Sequence, residues 1–465
     1  MWQAPSFSAF AHAAAVTGGL LVYVLVTRIG RQRRHPSAAL AWVLAIAALP
    51  YLGVPLFLVF GARKFTRPVR ASRLRPWAAG ETDAAAPRWS LELLRAMDTD
   101  APVACADVVF HDDGQAALDA LLELCASART SLAVQTFLLR DDTAGRAAMQ
   151  ALVAAAGRGV HTRLLIDAVG SLWLPRHAEA AMAAAGVALA RFMPLVHNPM
   201  RGRTNLRNHR KLALADGQRL WSGGRNLADE YFVERHAHRA WLDLSFRVDG
   251  ALAASALAQF ERDWRLAGGH ASRATTQASR DAGVAAAPAP AQWLTTGPDR
   301  ADDTVHALLL SAAWHAHERI VAATPYFVPD DALLDAWISA CRRGVRVGLV
   351  LPRRSNHRLA DLARERSLRE LVAAGAEVRL VPRMLHAKAV VVDDALALCG
   401  SVNLDGRSLF LNYEATAVFY GRRQIDWLAR WVESVGATGT RHRGTRPGAA
   451  RETLEGLVRA VGFQL

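Results

Sequence analysis

The chain has 465 residues, 52% of them hydrophobic, and a formal net charge of +14. That length exceeds what one ordinary domain needs and leaves room for two similar ones. The charge suits an anionic partner, phospholipid or nucleic acid, without choosing between them. The four cysteines (Cys105, Cys125, Cys341, Cys399) show no CxxC and no metal-ligand spacing, so four buried thiols are expected.

Lysine occurs only at Lys64, Lys211 and Lys388, and every other basic residue except histidine is arginine. A lysine retained in such a chain points to a need for a compact ammonium rather than a planar fork.

In chain order, residues 9–27 and 38–60 are apolar runs, the first with no charge apart from a possible His12. About 20 apolar residues span a bilayer as helix, so both are expected to be transmembrane helices, with Pro50 and Pro55 able to kink the second. The start "MWQAPSFS" lacks the basic region of a cleaved signal peptide. Arg28, Arg31, Arg33 and Arg34 lie between the runs, and Arg63, Lys64, Arg67, Arg70, Arg73 and Arg75 follow the second. Two full crossings would place these groups on opposite sides, against the usual clustering of positive charge on one face. A hairpin that enters and leaves one face would reconcile them.

From about residue 100 the pattern alternates between helix and strand, as in an α/β fold. It also repeats. "ALDALLELCASARTSLAVQTFLLRDD" and "MQALVAAAGRGVHTRLLIDAVGS" are echoed by "VHALLLSAAWHAHERIVAATPYFVPDD" and "LDAWISACRRGVRVGLVLPRRS". The unit is far longer than a solenoid repeat and reads as a duplicated domain. The expected organisation is a membrane anchor over 1–75, a first domain over 100–267, an Ala/Ser/Gly/Pro-rich linker over 268–293 and a second domain over 294–465.

Each copy carries the pattern H-x-K-x4-D: His209, Lys211 and Asp216, then His386, Lys388 and Asp393. A G-x-x-N follows each aspartate, Gly223 to Asn226 and Gly400 to Asn403. A lone H-x-K carries almost no information, but this match twice, at the same place in each repeat, is specific. In a strand, residues two apart share a face, so each histidine is expected to project with its lysine. Two half-sites facing one another would gather two imidazoles, two ammonium groups and the neutral donors Asn226, Ser401 and Asn403 around one cavity.

That set suits a phosphodiester. Lys211 and Lys388 would neutralise nonbridging oxygens as charge builds, with Asn226, Asn403 and Ser401 donating to the same oxygens. One histidine would attack phosphorus to give a phospho-histidine while the other protonates the leaving oxygen and later deprotonates the acceptor hydroxyl. No metal and no cofactor is called for, because the lysines carry the positive charge that Mg²⁺ supplies elsewhere.

The paired motifs resemble the HKD motifs of the phospholipase D superfamily, and within it the membrane-anchored bacterial cardiolipin synthases. "NHRKLALADGQRLWSGGRNLADEY" is similar to their first motif region, and "PYFVPDDALL" with "LHAKAVVVDDALALCGSVNLDGRSLFLNYE" to their second half. The two leading apolar runs also fit. The resemblance implies two phospholipase D-like α/β domains packed as a pseudo-dimer behind two transmembrane helices. It implies His209 as nucleophile and His386 as general acid/base, an order the near-symmetric sequence leaves open. It also implies a carboxylate that orients each histidine, for which Asp243 in "WLD" and Glu414 in "NYE" stand in the matching places. Asp216 and Asp393 belong to the motif, but bracing the turn after each strand is the favoured reading for them. The halves differ in one respect: Gly224 stands where the second motif has Ser401.

Other features have plainer readings. Residues 197–208 are a basic loop that could contact lipid phosphate or simply be solvated. Residues 358–371 read as a helix with ion pairs on a wet face. His236 and His238 lack companion ligands and read as surface residues. Trp221, Trp241 and Trp264 are expected in the core or at an interface.

The activity implied is phosphatidyl transfer between two phosphatidylglycerol molecules, giving cardiolipin and glycerol. The expected setting is the bacterial inner membrane, multi-pass, with the catalytic domains facing the cytoplasm. Anionic phospholipid is the expected partner, and nucleic acid is not. The rivals are a lipid-hydrolysing phospholipase D, a nuclease of the superfamily and a non-enzymatic membrane scaffold.

Overall fold

The first apolar run forms one helix, α1 (Phe7–Ile29), in a computed structural model that describes residues 7–29, 36–61, 86–194, 206–234, 239–269, 289–300 and 302–461. Its stretch Phe10–Thr27 is long and apolar enough to cross a membrane. The second run differs from the expected single span. It folds as α2 (Pro36–Ala48) and α3 (Pro50–Phe60), broken at Leu49, whose φ of −138° and ψ of 68° are non-helical. Proline disfavours helical backbone in the residue before it, so Pro50 stops α2 and starts α3. Pro55 sits inside α3 without ending it.

α3 turns back on α2. A Cβ on Gly53 would lie 2.7 Å from the Ala45 carbonyl oxygen, whereas eight residues of straight helix span about 12 Å. Gly19 lets α1 approach both, since a Cβ there would meet Val54 Cγ2 at 2.5 Å and Ile46 Cγ2 at 2.8 Å. Phe57 closes the bundle between Tyr23 and Trp42, while Leu40, Leu44, Tyr51 and Leu52 face outward. The side chain of Arg28, and Arg31, Arg33, Arg34 and the basic group from Arg63 to Arg75 altogether, lie outside what is described.

After α4 (Arg88–Ala96), the first repeat runs β1 (Val103–His111), α5 (Gly114–Ser127), β2 (Ser131–Thr136), α6 (Thr143–Gly157), β3 (His161–Asp167), α7 (Arg176–Ala184), β4 (Ala188–Phe192), β5 (Leu212–Ala215), β6 (Arg219–Gly223), β7 (Ser245–Gly250) and α8 (Ala251–Leu266). The second runs β8 (Ala289–Thr296), α9 (Thr304–His315), β9 (Arg319–Ala323), β10 (Phe327–Val328), α10 (Asp331–Arg342), β11 (Arg346–Pro352), α11 (Arg358–Ala374), β12 (Glu377–Val381), β13 (Ala389–Val392), β14 (Leu396–Gly400), β15 (Leu404–Asp405), α12 (Gly406–Phe410), β16 (Glu414–Phe419) and α13 (Arg422–Ala437). The chain ends in β17 (Thr440–Arg441) and α14 (Ala449–Val461). Because β8 begins at Ala289, residues 289–293 of the expected linker are sheet rather than linker. Residues 270–288 lie outside the described set.

The strands join one sheet in the order β17-β12-β11-β9-β13-β14-β16-β8-β1-β7-β6-β5-β2-β3-β4. Without β17 that order is a palindrome about the antiparallel β8–β1 pair, so the sheet has a pseudo-twofold at its centre. In each half two parallel pairs lie outermost (β2–β3–β4 and β9–β11–β12), and the inner strands are antiparallel. On one face α8 and α13 share a single core, where Phe260, Trp264, Phe246, Phe419, Leu428 and Val432 are buried together. On the other face each half has its own core, α5–α6 over the first and α9–α11 over the second. All four cysteines are free thiols.

Candidate active site

The two H-x-K segments do not lie within strands. His209–Lys211 and His386–Lys388 are extended backbone just ahead of β5 and β13. This corrects the expectation of an in-strand pair, and it matters because free backbone there pairs across the two halves. Asn208 bridges Tyr413 in parallel, with His209 N donating to Tyr413 O at 2.9 Å and Tyr413 N to Arg207 O at 2.9 Å. Leu242 bridges Leu385 in the same way, with Leu242 N donating to Met384 O at 2.8 Å and His386 N to Leu242 O at 2.7 Å. Each histidine segment is thus strapped to the carboxylate-bearing segment of the other half.

The orienting pairs are therefore crossed. His386 Nδ1 lies 2.7 Å from Asp243 Oδ2, and His209 Nδ1 lies 3.5 Å from Glu414 Oε1. Each lysine folds back on its own histidine: Lys211 Nζ donates to His209 O at 2.6 Å, and Lys388 Nζ donates to His386 O and lies 2.8 and 3.0 Å from the ring nitrogens.

The Gly224/Ser401 difference follows from the carboxylates. A Cβ on Gly224 would stand 2.2 Å from Asp243 Oδ1, so the shorter aspartate occupies the space a serine would need. The longer Glu414 leaves that space, and Ser401 Oγ fills it and donates to Glu414 Oε2 at 2.5 Å. Asn412 Nδ2 donates to the other oxygen at 3.2 Å. The preceding glycines allow the neighbouring strand to close in, since a Cβ on Gly223 would be 2.2 Å from Leu244 O and one on Gly400 2.4 Å from Ala415 O.

Three expected phosphate-binding donors are committed elsewhere. Ser401 braces Glu414, Asn226 Nδ2 donates to Tyr231 Oη at 2.7 Å, and Asn403 donates to Asp405. Asp216 and Asp393 stand away from the rings, at the far ends of β5 and β13. Asp216, at φ 54°, accepts from Arg129 N, Thr130 N, Thr130 Oγ1 and Ser131 N. Asp393, at φ 48°, accepts from His317 N, Glu318 N and Arg319 N. The turn and the start of the neighbouring strand use the oxygens of both motif aspartates, so the contacts they make are those of a turn brace.

Burial and mutual repulsion shape the charges. Burial, then Lys211 and Arg407, hold the His209 imidazole well below the usual histidine range. Burial and Lys388 push His386 down to about 4 against the pull of Asp243. Burial lowers Lys211 to about 8 and Lys388 to about 7, and raises Glu414 to about 7. Burial opposes ionisation of Asp243, but its interaction with the hydrogen-bonded His386 and with Lys388 wins and holds it below the usual carboxylate range. A site with neutral imidazoles, ammonium groups close to neutrality and one firmly ionised carboxylate is poised to receive a phosphodiester anion.

Sequence reasoning missed several residues here. Arg210, inside the first H-x-K, is fully buried and paired with Asp263 at 2.5 Å, and Asp263 also accepts from Asn208, Gln135 and Gln259. This network fixes the His209 segment from below, and its only sequence signal is a charge between two motif positions. Phe137 packs on His209 with ring centroids 4.1 Å apart. Tyr231 and Trp241 flank His386 at 5.1 and 5.5 Å, so Trp241 sits against the site while Trp221 and Trp264 lie in the core as expected. A cavity of about 410 Å³ opens beside His209. The 358–371 helix carries an ion pair of the expected kind, Arg366–Glu370, although its Arg364 is buried. His236, His238 and most of the 197–208 loop lie outside the described residues.

Two histidines, each backed by a lysine and a carboxylate, at the centre of a palindromic mixed sheet define a two-histidine phosphoryl-transfer protein of the phospholipase D type. Comparison with known proteins agrees. A family profile described as "Cardiolipin synthase, PLD-like domain" matches residues 121–264 and 309–435, and one described as "Phospholipase_D-nuclease N-terminal" matches residues 19–61. Cardiolipin synthase A of Pseudomonas putida (strain GB-1) is 34% identical over 419 residues, covering 84% of this chain and 85% of that protein. Cardiolipin synthase A of Pseudomonas aeruginosa (strain LESB58) is 32% identical over 437 residues, covering 89% and 88%. Among solved structures, phosphatidylserine synthase of Haemophilus influenzae Rd KW20 shares the fold, with a TM-score of 0.60 at 15% identity over 81% of this chain and all of that one. The chain belongs to the cardiolipin synthase family of phospholipase D-like proteins.

Proposed function

We propose that the protein is a membrane-associated cardiolipin synthase. It takes the phosphatidyl group of one phosphatidylglycerol and passes it to the primary hydroxyl of a second, giving cardiolipin and glycerol. The observation that carries this reading is the crossed two-histidine, two-lysine site in a chain whose relatives over most of its length are cardiolipin synthases.

In the first step His209 attacks phosphorus, and His386, which takes up a proton beside Asp243 as the phosphodiester anion enters, passes that proton to the departing glycerol oxygen. Lys211 and Lys388 leave their carbonyl partners to hold the nonbridging oxygens, whose anionic charge restores protons to ammonium groups that burial has weakened. In the second step the acceptor O–H loses its proton to His386, the new P–O bond forms and the P–N bond to His209 breaks. Asn226, Asn403 and Ser401 serve this arrangement by fixing Tyr231, Asp405 and Glu414, and reach phosphate only by exchanging those bonds.

We read residues 1–75 as the anchor, and 100–267 and 289–465, which includes all of β8, as the two catalytic units. We place α1 across the bacterial inner membrane and read α2 and α3 as a re-entrant pair, with the catalytic units on the cytoplasmic side. At about 20 and 16 Å, neither short helix spans a hydrocarbon core of about 30 Å.

Hydrolysis by the same residues, with water as acceptor, is the rival that needs a separate test. Lipids of cells expressing the protein, compared by mass spectrometry with cells expressing His209→Ala, are expected to show cardiolipin gained at the expense of phosphatidylglycerol only in the former. Phosphatidic acid accumulating without cardiolipin would overturn the transferase reading.

A further inference from the structure

The C-terminal ends of parallel strands lie on one edge of a sheet, and in each half that edge carries the site. Phe137, just past β2, packs on His209, and Tyr326, beyond β9, lines the cavity beside it. The neighbouring strands β3 and β11 end on the same edge. The loops that follow them, residues 168–175 and 353–357, reach the cavity wall through Val169 and His357.

At both loops large apolar side chains are turned outward. Ser171 is buried, its amide donating to Asp167 O and its hydroxyl to Phe137 O, and Leu174 is buried in the core of the first half. The turn between them leaves Leu172 half-exposed and Trp173 83% exposed. After β11, Ser355 N donates to Asp361 Oδ2 and Tyr326 Oη to Asn356 Oδ1, and Leu359 on the first turn of α11 is left half-exposed. The turns are pinned by hydrogen bonds, so the exposure is built into the fold. Tryptophan is on average highly buried, and it favours the boundary between hydrocarbon and water. Arg176, Arg354 and Arg358 flank these side chains, are exposed and make no ion pair among the described residues. The acidic residues nearest them in sequence, Glu179 and Asp361, pair instead with Arg191 and Arg364. Apolar tips among unpaired arginines match an anionic bilayer surface, where the tips enter below the headgroups and the guanidinium groups meet phosphate. The anchor is close by: Leu359 lies about 15 Å along α11 from Arg369, where Glu455 of α14 ties on, and α14 reaches α2.

We propose that Leu172, Trp173 and Leu359 dock the mouth of the site into an anionic bilayer, with Arg176, Arg354 and Arg358 on its headgroups. The anchor only holds the protein at a membrane, whereas this second contact fixes which face of the catalytic units meets the lipid. The inference goes beyond the transferase reading, because the same face would serve hydrolysis equally.

The test uses full-length protein carrying Cys341→Ala in nanodiscs of phosphatidylcholine and phosphatidylglycerol. A polarity-sensitive fluorophore is placed at Trp173→Cys or Leu359→Cys, and at Trp314→Cys as the control. Trp314 is also exposed, but it precedes β9 and so stands at the opposite edge of the sheet. Probes at 173 and 359 are expected to be quenched several-fold more than the control by spin-labelled lipid, and less by iodide in the water. Adding Arg176→Gln, Arg354→Gln and Arg358→Gln together is expected to reduce the quenching by lipid. Quenching at 173 and 359 equal to that at 314, or unaffected by loss of the three arginines, overturns the docking face. Shielding from iodide without quenching by lipid would mean that protein, a second copy included, covers the loops, and overturns it too. Lipid analysis of unmodified protein in the same discs separates the two readings. Cardiolipin made while the probes stay in water leaves the transferase standing without the docking face. Probes in the bilayer with phosphatidic acid formed in place of cardiolipin support the docking face and sink the transferase.

Discussion

Lys388 and Lys211 are the residues in which the chemistry of the site is most exposed to pH. Burial has brought their ammonium groups down to about 7 and about 8. A depressed lysine is charged below its folded pKa and loses its proton as pH rises through it, so the positive charge that receives the phosphodiester disappears across that window. His209 is held the opposite way, neutral to well below the ordinary histidine range, so in the proposed mechanism the nucleophile survives mild acid. Protonated His386 is also favoured by low pH. The expected profile of kcat/KM therefore declines toward alkali, most steeply between about pH 7 and 8, and the fall in kcat comes later because bound phosphate raises both lysines. A pH–rate series on micellar phosphatidylglycerol measures both limbs, and a kcat/KM that stays flat to about pH 9 would be incompatible with either lysine titrating in this role.

In the turns after β5 and β13 a motif residue spends its hydrogen-bonding capacity on the backbone. Asp216 and Asp393 sit in left-handed backbone, which aspartate tolerates better than most residues, and each ties the next strand's entry through several backbone amides. Asp216→Ala and Asp393→Ala each lose these bonds and add strain at positive φ, a cost of about 2–3 kcal/mol. Chemical unfolding of the detergent-solubilised protein should show that loss, while the folded fraction keeps its turnover below the transition. A variant as stable as the parent but without turnover would return these aspartates to the reacting set. The same elements mark the limits of what the sequence discloses. The duplication, the strands and the histidine–lysine pairs were legible because they are local patterns repeated at equal spacing. The crossed partnership of His209 with Glu414 and His386 with Asp243 was not, because it arises where Asn208 meets Tyr413 and Leu242 meets Leu385, pairings between halves that no spacing encodes. Arg210 and Asp263 were missed for the same reason: a buried ion pair joins two residues that look like surface charges when read singly. The Gly224/Ser401 difference was visible, but its cause, the one-methylene difference between Asp243 and Glu414, needed coordinates.

At the scale of the whole molecule, the anchor and the catalytic units are held in one orientation. α14 packs along α11 and reaches α2, and Glu455 on its inner face binds both Arg369 and Arg451 at 2.6 and 3.0 Å. The C-terminal helix thus ties the second half to the hydrophobic bundle. That arrangement constrains the path of the anchor. α1, at about 35 Å, is long enough to cross, but α2 and α3 fold back on each other at Leu49 and Pro50. The proposed re-entrant pair would leave the sequence around Arg34 and that around Arg67 on one side of the bilayer, as the preference of positive charge for the cytoplasmic side requires, without a second crossing. With Cys341, the one cysteine that is not fully buried, replaced by alanine, single cysteines at Ser6, Arg34 and Arg67 can be probed with a membrane-impermeant maleimide on intact spheroplasts and on inverted vesicles. Ser6→Cys is expected to label from outside, and Arg34→Cys and Arg67→Cys both only from the cytoplasmic face, with Leu49→Cys protected from either side. Labelling of positions 34 and 67 from opposite faces would mean that the second run does cross, and that the bend at Leu49 opens into a single span when lipid surrounds it.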